Sequence, residues 1–378
     1  MSHDSGESFQ DPSSPTAGYG DWRSLELAIK EAAKKASRTA GPGVAAATVD
    51  AQIRQARFDR FLTRVFADGE RSEWLLKGGV SMLARVPQSR TTKDVDLAAA
   101  GVADLKEAET ALARAVDVDL GDHITFELSH SAPTGLGENQ PGVATRRYFF
   151  NCVAVDSGRT IDTVQVDVVV GPAPVGTPQT VEPANRLHLK KPLITHPYRL
   201  YPVADQVADK VCATMDTNYP GGRASSRVKD LVDLVVLART QRIDLDELRS
   251  ALATKRRLSQ IEPFDRFEIP PDWVSAFPKL AAGVPGARDV SPAEAQAYVA
   301  QLVDPALSPA DDVAAVWVPG AGWTAPDEVE SVSAEVADDV AAGGDVYVRH
   351  HTRAGWPVRE HWRAARGSAS APASPRET

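Results

Sequence analysis

The sequence predicts an α+β fold, in which a mixed sheet with flanking helices is followed by a mainly helical region. Two amphipathic helical patterns open the chain, β-branched and aromatic runs fill its middle, and helical spacing of apolar residues dominates from Pro202 onward. Strands gathered in one part of a chain and helices in another are typical of α+β proteins.

The first half of the pattern runs from two helices into a strand, a turn and a second strand. Apolar residues recur at helical spacing over 21–37 and 49–67. Trp74-Leu75-Leu76 is a short apolar run that ends at Gly78-Gly79, which predicts a strand entering a tight turn before a helix over 80–85. Asp94-Val95-Asp96-Leu97 alternates polar and apolar residues, as a half-buried strand does. A helix over 102–116 follows.

The middle and the end of the chain complete the prediction. Strands are predicted over 124–128, 147–155 and 163–170, with a hairpin loop at 135–142 and an irregular proline-rich stretch over 172–183. Helices are predicted over 203–215, 227–239, 244–252, 292–302 and 309–316, the last with Ser308 as N-cap. We therefore expect disordered tails at 1–20 and 367–378, a core over 21–200 and a mainly helical domain over 201–366.

Composition places the chain among soluble proteins of the cytoplasm. It has 378 residues, 43% of them hydrophobic, and a net charge of -9, which argues against a uniformly basic surface but leaves room for a local basic patch. Its start has no signal-peptide pattern, no apolar run is long enough to span a bilayer, and its two cysteines form no disulfide framework. The sequence does not specify an oligomeric state.

The acidic strand carries the first candidate chemistry. Side chains two apart on a strand point to the same face, so Asp94 and Asp96 project their carboxylates side by side. Carboxylates this close repel each other unless a cation lies between them. Oxygen ligands of this kind suit Mg²⁺ or Mn²⁺, which would be shared with substrate phosphates.

The glycine turn before it is a candidate phosphate site. Gly78 and Gly79 would let the backbone approach a phosphate, and Ser81 could add a hydroxyl near the start of the next helix. Each motif alone is common, as a turn or as a solvated strand face. Their order, with Arg90 and Thr92 between them, favours a nucleotide-binding site.

A second element lies more than a hundred residues later. Asp209-Lys210 falls on one predicted helix, and Arg227, Asp230 and Asp233 are spaced three apart on the next, so that each neighbours the following one. By itself this spacing is also that of an ordinary amphipathic helix with ion pairs.

Taken together, these motifs resemble the AbiEii-type nucleotidyltransferases, toxins of bacterial toxin–antitoxin systems that include the MenT toxins. The resemblance covers about 75–237 and implies a polymerase-β-like nucleotidyltransferase core with a helical C-terminal domain. It assigns the phosphate-binding turn to Gly78, Gly79 and Ser81, and the metal carboxylates to Asp94 and Asp96. It further implies a triphosphate contact for Lys210 and an essential acid at Asp230, supported by Arg227 and Lys229. Arg90 would help balance phosphate charge, and Asp167 is the candidate for a third metal carboxylate.

The resemblance implies transfer of a nucleoside monophosphate from an NTP to the 3′ end of tRNA, which would block translation, and a cognate antitoxin as partner. Two alternatives remain open at this point. One is a nucleotidyltransferase that modifies a small molecule or a protein hydroxyl, because the carboxylate pair serves the NTP and not the acceptor. The other is a non-enzymatic module that binds nucleotides or a partner.

Overall fold

The computed structural model describes residues 18–39, 47–87, 89–134, 143–216, 225–308, 313–341, 351–353 and 356–358. Most of the two predicted tails and the predicted hairpin loop at 135–142 lie outside these residues. No helix in the described parts of the chain combines the length and the apolar character that crossing a bilayer requires.

Two amphipathic helices open the fold as predicted. Helix α1 (Trp22–Thr39) buries Trp22, Leu25 and Ile29 along one face, at helical spacing. Helix α2 (Val49–Val65) begins where the Thr48 hydroxyl accepts a hydrogen bond from the backbone N–H of Ala51 at 3.2 Å.

The described strands of the core form one seven-stranded sheet in the order β3-β4-β5-β2-β1-β7-β6. Its pairs are antiparallel except for β2 with β5 and β1 with β7, which are parallel. The predicted mixed sheet with flanking helices is therefore confirmed. The strands are β1 (Trp74–Lys77), β2 (Val95–Ala99), β3 (Ile124–Pro133), β4 (Ala144–Ala154), β5 (Arg159–Val170), β6 (Gln179–Val181) and β7 (Tyr198–Leu200).

Two short helices connect the first strands. Helix α3 (Gly78–Arg85) begins directly at the end of β1, two residues earlier than predicted, so the two glycines are its first residues. Helix α4 (Leu105–Val116) begins after Asp104, whose carboxylate accepts hydrogen bonds from the N–H groups of Lys106 and Glu107.

The second half of the chain is built mainly from helices. Their bounds are α5 (Val203–Met215), α6 (Val228–Thr240), α7 (Leu245–Ser259), α8 (Trp273–Ala281), α9 (Pro292–Leu307) and α10 (Val329–Ala341). A small sheet joins β8 (Ile243–Asp244), β9 (Val316–Val318) and β10 (Gly322–Thr324), and β11 (His351–Arg353) pairs with β12 (Trp356–Val358). None of these strands was predicted.

The buried apolar residues fall in two large clusters. One joins α1 and α2 to the face of the seven-stranded sheet, with Phe61, Phe126 and Phe150 in contact. The other lies among α5–α9 and includes Met82 of α3. The segment that starts at the Gly78 turn and runs through α3 therefore packs against both clusters.

The predicted helix over 309–316 is wrong where the structure describes it. Ser308 ends α9, because its N–H and its hydroxyl both donate to the carbonyl of Asp304, so it is a C-cap and not an N-cap. Val316 opens strand β9, where Trp317 is buried and donates to the carbonyl of Ala238 at 2.7 Å. The stretch over 172–183, predicted to be irregular, contains the short edge strand β6.

Candidate active site

Four charged residues form one row across the sheet, which we call the charged row. Arg147 of β4 is in register with Asp167 of β5. Asp167 is in register with Asp96 of β2, and Asp96 with Lys77 of β1. Residues directly opposite each other on neighbouring strands share one face of the sheet. The charged row thus places two carboxylates side by side, with a cation at each end.

The Gly78 turn supports the carboxylate of Asp96. Gly78 has a backbone φ of +61°, and a Cβ built on it would lie 1.7 Å from Oδ2 of Asp96. A Cβ on Gly79 would lie 2.7 Å from Cβ of Thr92. Both glycines are therefore required by close approach, because any larger residue would collide with the acidic strand or with the residues leading into it.

Thr92 orients the second carboxylate. Its hydroxyl donates a 2.7 Å hydrogen bond to Oδ1 of Asp94, which lies half-exposed just before β2. This bond leaves Oδ2 of Asp94 directed elsewhere, 3.8 Å from the Nη2 atom of Arg147. Asp94 and Asp96 are thus held by separate neighbours at the same end of β2.

Burial and crowding of negative charge change the ionisation of Asp96. Burial raises the pKa of Asp96, and the nearby charges of Asp94 and Asp167 raise it further, to about 6, against the opposing effect of Lys77 and Lys210. When the pKa of a carboxylate is raised this far, a bound cation would stabilise its charged form.

Arg147 holds the acid proposed as a third metal ligand. Its Nε and Nη2 atoms donate to the two carboxylate oxygens of Asp167, both at 2.6 Å. This bidentate ion pair occupies both oxygens of Asp167. The described residues contain no group of three or more His, Cys, Asp or Glu side chains arranged to hold a metal ion.

The donor set nevertheless fits a divalent cation. Mg²⁺ is commonly held by one or two carboxylates together with substrate phosphates, without a cage made only of protein. Asp94 and Asp96 supply such a pair, with all-oxygen chemistry and with the repulsion that a cation relieves. Asp167 lies beside Asp96 but would coordinate a cation in competition with the positive charge of Arg147.

The predicted residues of α5 and α6 meet in a second cluster, which we call the α5–α6 network. The Nζ atom of Lys210 donates to Asp230 at 3.0 Å and to Asp233 at 2.7 Å. Arg90 holds both oxygens of Asp233 at 2.9 Å, and Arg227 donates to Asp230 at 2.7 Å. Three cations and two buried acids leave this network with an excess positive charge.

The α5–α6 network lies close enough to act on the charged row. Lys210 is one of the charges that lower the pKa of Asp96, and Asp96 is one of those that raise the pKa of Arg90. Arg90 and Lys210 therefore lie within electrostatic range of Asp96. The ion pairs of Lys210 connect Asp230, and through it Arg227, to the same network.

The side chain of Ser81 is buried. Its exposed fraction is 0%, and its hydroxyl accepts a 2.7 Å hydrogen bond from Arg85 one turn later on α3. The predicted contact between the Ser81 hydroxyl and a phosphate requires this side chain to move.

Lys77 is held by Asp209, which the sequence pattern placed on the Lys210 helix without a role, and by Tyr201, which the pattern did not indicate. Its Nζ atom lies 2.7 Å from Asp209 and 4.1 Å from the ring centroid of Tyr201, and Lys255 contacts the other oxygen of Asp209 at 2.5 Å. Burial alone would lower the pKa of Lys77, but Asp209, Tyr201 and Asp96 together outweigh it and hold the pKa above its usual range.

Sequence reasoning also missed Arg147 and treated Asp233 only as a helix neighbour. Asp233 shares the three-residue spacing of Arg227 and Asp230, which was a usable signal. Arg147 carries no such signal, because its position depends on the pairing of β4 with β5.

The chain matches a protein family and is similar to solved structures. The family model described as "Nucleotidyl transferase AbiEii toxin, Type IV TA system" matches residues 60–309. Among solved structures, the chain is similar to the nucleotidyltransferase toxin MenT4 of Mycobacterium tuberculosis, at 14% identity and a TM-score of 0.39, over 74% of this chain and 97% of that one. It is also similar to JHP933 of Helicobacter pylori, at 14% identity and a TM-score of 0.37, over 68% of this chain and 93% of that one. No curated protein matches the sequence.

Proposed function

The chain belongs to the AbiEii nucleotidyltransferase toxin family, whose model matches more than half of its length, and we propose that it transfers a nucleoside monophosphate from an NTP to the 3′ end of tRNA. Membership makes the chain a nucleotidyltransferase. The tRNA acceptor, the dependence on Mg²⁺ or Mn²⁺, the block of translation, the cytoplasmic location and binding by a cognate antitoxin belong to the proposal.

The contact between Asp96 and the Gly78 turn is the observation that carries the proposal. The acid that would hold a metal ion and the backbone that would receive phosphates are packed as one unit. The first N–H groups of α3 have no partner within the helix, and the side chain of the N-cap residue Lys77 makes no capping hydrogen bond. Such N–H groups, at the positive end of a helix dipole, favour an anion.

Asp94 and Asp96 would hold the divalent cation, which when bound neutralises triphosphate charge and lowers the pKa of the acceptor hydroxyl. The chain's own contribution is orientation. Thr92 fixes Asp94 through its 2.7 Å hydrogen bond, and the glycine turn limits where Asp96 can point. Held in this way, both acids lose little freedom when substrate arrives.

The cations of the α5–α6 network would balance charge on the phosphates. The side chains of Arg90 and Arg227 are 23% and 37% exposed, whereas that of Lys210 is 8% exposed and tied to two acids. We therefore assign direct phosphate contacts first to Arg90 and Arg227. The ammonium group of Lys210 has a third N–H beyond its two ion pairs, but its low exposure makes it less accessible to a phosphate than the two arginines.

The proposal is tested by incubating the purified protein with total tRNA, Mg²⁺ and each of the four NTPs labelled at the α-phosphate. We expect label to move onto the RNA with at least one NTP, and to be lost when EDTA removes the metal. Digestion from the 3′ end should release the label in the first nucleotide. Label found on protein or on a small molecule would replace tRNA as the acceptor, and no transfer to any acceptor would contradict the proposed reaction.

A further inference from the structure

Helices α1 and α2 are rich in positive charge, although the whole chain has a net charge of -9. Residues 22–59 contain seven Lys and Arg side chains and four Asp and Glu. They are Arg23, Lys30, Lys34, Lys35, Arg38, Arg54 and Arg57, against Glu26, Glu31, Asp50 and Asp59. All of them precede residue 60, where the family match begins, so membership of the family does not account for this charge.

The last two turns of α1 expose three of these positive side chains. Lys30, one turn earlier, is paired with Glu26 at 2.8 Å. Lys34 and Arg38 are exposed and form no ion pair with any described residue, and Lys35 is exposed beside them. Residues three and four apart on a helix are neighbours, so Arg38 lies one turn from both lysines and the three form one patch.

The segment between β6 and β7 adds two lysines to this patch. Lys190 contacts Glu31 at 3.2 Å, and Glu31 is one helical turn before Lys35, so Lys190 lies beside the cations of α1. The Nζ atom of Lys191 donates to the carbonyl of Gly18 at 3.0 Å and has no acidic partner among the described side chains. We define the N-terminal basic surface as Lys34, Lys35, Arg38, Lys190 and Lys191.

A cavity connects the N-terminal basic surface to the candidate active site. Its volume is about 330 Å³, and both Lys35 and Thr92 line it, together with Gln52 and Gln55 of α2. Thr92 is the residue whose hydroxyl orients Asp94. A ligand that lies along this cavity therefore reaches from α1 to the residue that supports the carboxylate pair.

The cavity lining is polar and positively charged. Arg186 and His188 line it as well, although Asp59 and Glu182 balance the charge of Arg186. Lysine and glutamine side chains such as those of α1 and α2 are typical contacts of phosphate oxygens and sugar hydroxyls in nucleic-acid complexes.

We propose that the N-terminal basic surface binds the sugar–phosphate backbone of the acceptor RNA, away from its reacting end, an inference that rests on the proposed nucleotidyl transfer. The RNA backbone is a polyanion, and Lys and Arg side chains that neutralise its phosphates release bound counterions. An acidic protein would match the same positive charge. RNA is favoured because the cavity leads to Thr92, beside the carboxylates at which the 3′ hydroxyl of the RNA has to react.

The direct test measures the binding of fluorescently labelled tRNA by anisotropy, with EDTA present and NTP absent, so that neither metal nor turnover contributes. The N-terminal triple variant carries Lys34→Gln, Lys35→Gln and Arg38→Gln together. We expect it to bind tRNA about tenfold or more weakly than the wild type at low salt. A plot of log Kd against log salt concentration should become less steep by about two, because each phosphate contact contributes about 0.7–0.9 to the slope.

A matched control removes three positive charges from exposed positions in the second half of the chain, with Arg257→Gln, Arg266→Gln and Lys279→Gln together. It should bind tRNA within about twofold of the wild type, because these side chains make no contact with the RNA in this proposal. Equal weakening in both triple variants would reduce the effect to net charge and overturn the inference. Unchanged binding in the N-terminal triple variant, or no tRNA binding by the wild type, would also overturn it.

A charge-preserving variant separates loss of charge from loss of fold. Lys34→Arg, Lys35→Arg and Arg38→Lys together keep all three cations and should retain the tRNA affinity of the wild type. All the triple variants should unfold at the wild-type temperature, because the substituted side chains are exposed. Binding lost equally in the charge-preserving variant would contradict a role of charge at this surface.

Polyglutamate of matched charge tests an acidic protein as the occupant. We expect it to bind more weakly than tRNA and to be displaced by tRNA. If polyglutamate bound more tightly, and the N-terminal triple variant lost that binding while it kept tRNA, the surface would belong to an acidic protein partner and the inference would be overturned.

Kinetics separates this inference from the proposed reaction. The N-terminal triple variant should have a higher KM for tRNA, with an unchanged KM for NTP and an unchanged rate on a short oligonucleotide of the same 3′ sequence, which offers few phosphates to α1. Binding of tRNA through this surface without transfer to any acceptor would leave the surface standing and refute the reaction. Transfer to tRNA by the triple variant with the KM of the wild type would refute the surface and leave the reaction standing.

Discussion

Asp96 and Asp167 occupy the same register position on neighbouring parallel strands, so two acids lie side by side on one face of the sheet. Arg147 neutralises Asp167 through a bidentate ion pair, whereas Asp96 has Gly78 against its carboxylate and a raised pKa. The two acids are thus in different electrostatic states, and the one beside the glycine turn is the one that a metal ion would stabilise.

Removing the charge of Asp96 should stabilise the protein. Its pKa in the folded protein, about 6, lies above the ordinary value of 3.8, so the folded state binds this proton more tightly than the unfolded chain does. The stability that the proton provides is complete below about pH 4 and is lost as pH rises through about 6. Without metal, Asp96→Asn should be more stable than the wild type at pH 8 by on the order of 1–2 kcal/mol, and equal to it near pH 4. Calorimetry at the two pH values measures this, and a less stable variant at pH 8 would contradict the assignment.

Gly78 should tolerate no side chain. In Gly78→Ala the new methyl group collides with Asp96, and the alanine has to adopt a positive φ. The backbone conformation alone costs ~1–2 kcal/mol of stability. We expect a larger loss than this, together with loss of activity. Gly69→Ala is the matched control, because Gly69 has a φ of +58° and open space around its Cβ position. Urea unfolding of both variants isolates the effect of the Asp96 contact, and equal losses would show that contact to be unimportant.

Arg147 should compete with a metal ion for Asp167. Replacing it by glutamine frees both oxygens of Asp167, so Arg147→Gln should bind Mn²⁺ more tightly than the wild type in the absence of nucleotide. Electron paramagnetic resonance of free Mn²⁺ measures the affinity. Arg146→Gln is the control, because Arg146 donates to Ser131 and makes no contact with Asp167. Unchanged Mn²⁺ affinity in Arg147→Gln would exclude Asp167 from the metal site.

Substitutions of Lys210 and of Arg227 should distinguish a structural role from a role in phosphate binding. Lys210→Met leaves Asp230 and Asp233 without the cation they share, so we expect the free energy of unfolding to fall by about 3 kcal/mol or more. Arg227→Met removes a more exposed ion pair and should cost below about 1 kcal/mol, while raising the KM for NTP. Chemical denaturation and steady-state kinetics test the pair. A Lys210→Met variant that is fully stable yet inactive would instead make Lys210 a direct phosphate ligand.

The parts of the site that follow from local sequence were predictable. Gly78-Gly79 and the alternation of Asp94 and Asp96 depend on neighbours within a few residues, and the sheet and helices that carry them are confirmed. Arg227 and Asp230 could be placed together for the same reason, since residues three apart on a helix are neighbours.

The remaining contacts depend on strand order and packing, which local patterns do not encode. Arg147 reaches Asp167 only because β4 pairs with β5, and Arg90 reaches Asp233 across 143 positions of sequence. The helix predicted over 309–316 is wrong over its described part, 313–316, for a similar reason, because the short strand β9 is stabilised by pairing with β8 and β10. A three-residue strand shows too few alternations to be recognised alone.

We place the centre of nucleotidyl transfer at Asp94 and Asp96, beside the Gly78 turn. The decisive measurement is the rate of label transfer from an α-labelled NTP to tRNA by the wild type, Asp94→Asn and Asp96→Asn. Asp156→Asn, an exposed acid in the turn after β4, is the control. We predict wild-type rates for the control and losses of at least about a hundredfold for the two site variants, with unfolding temperatures no lower than that of the wild type for Asp96→Asn. Transfer by Asp96→Asn at the wild-type rate would contradict this assignment.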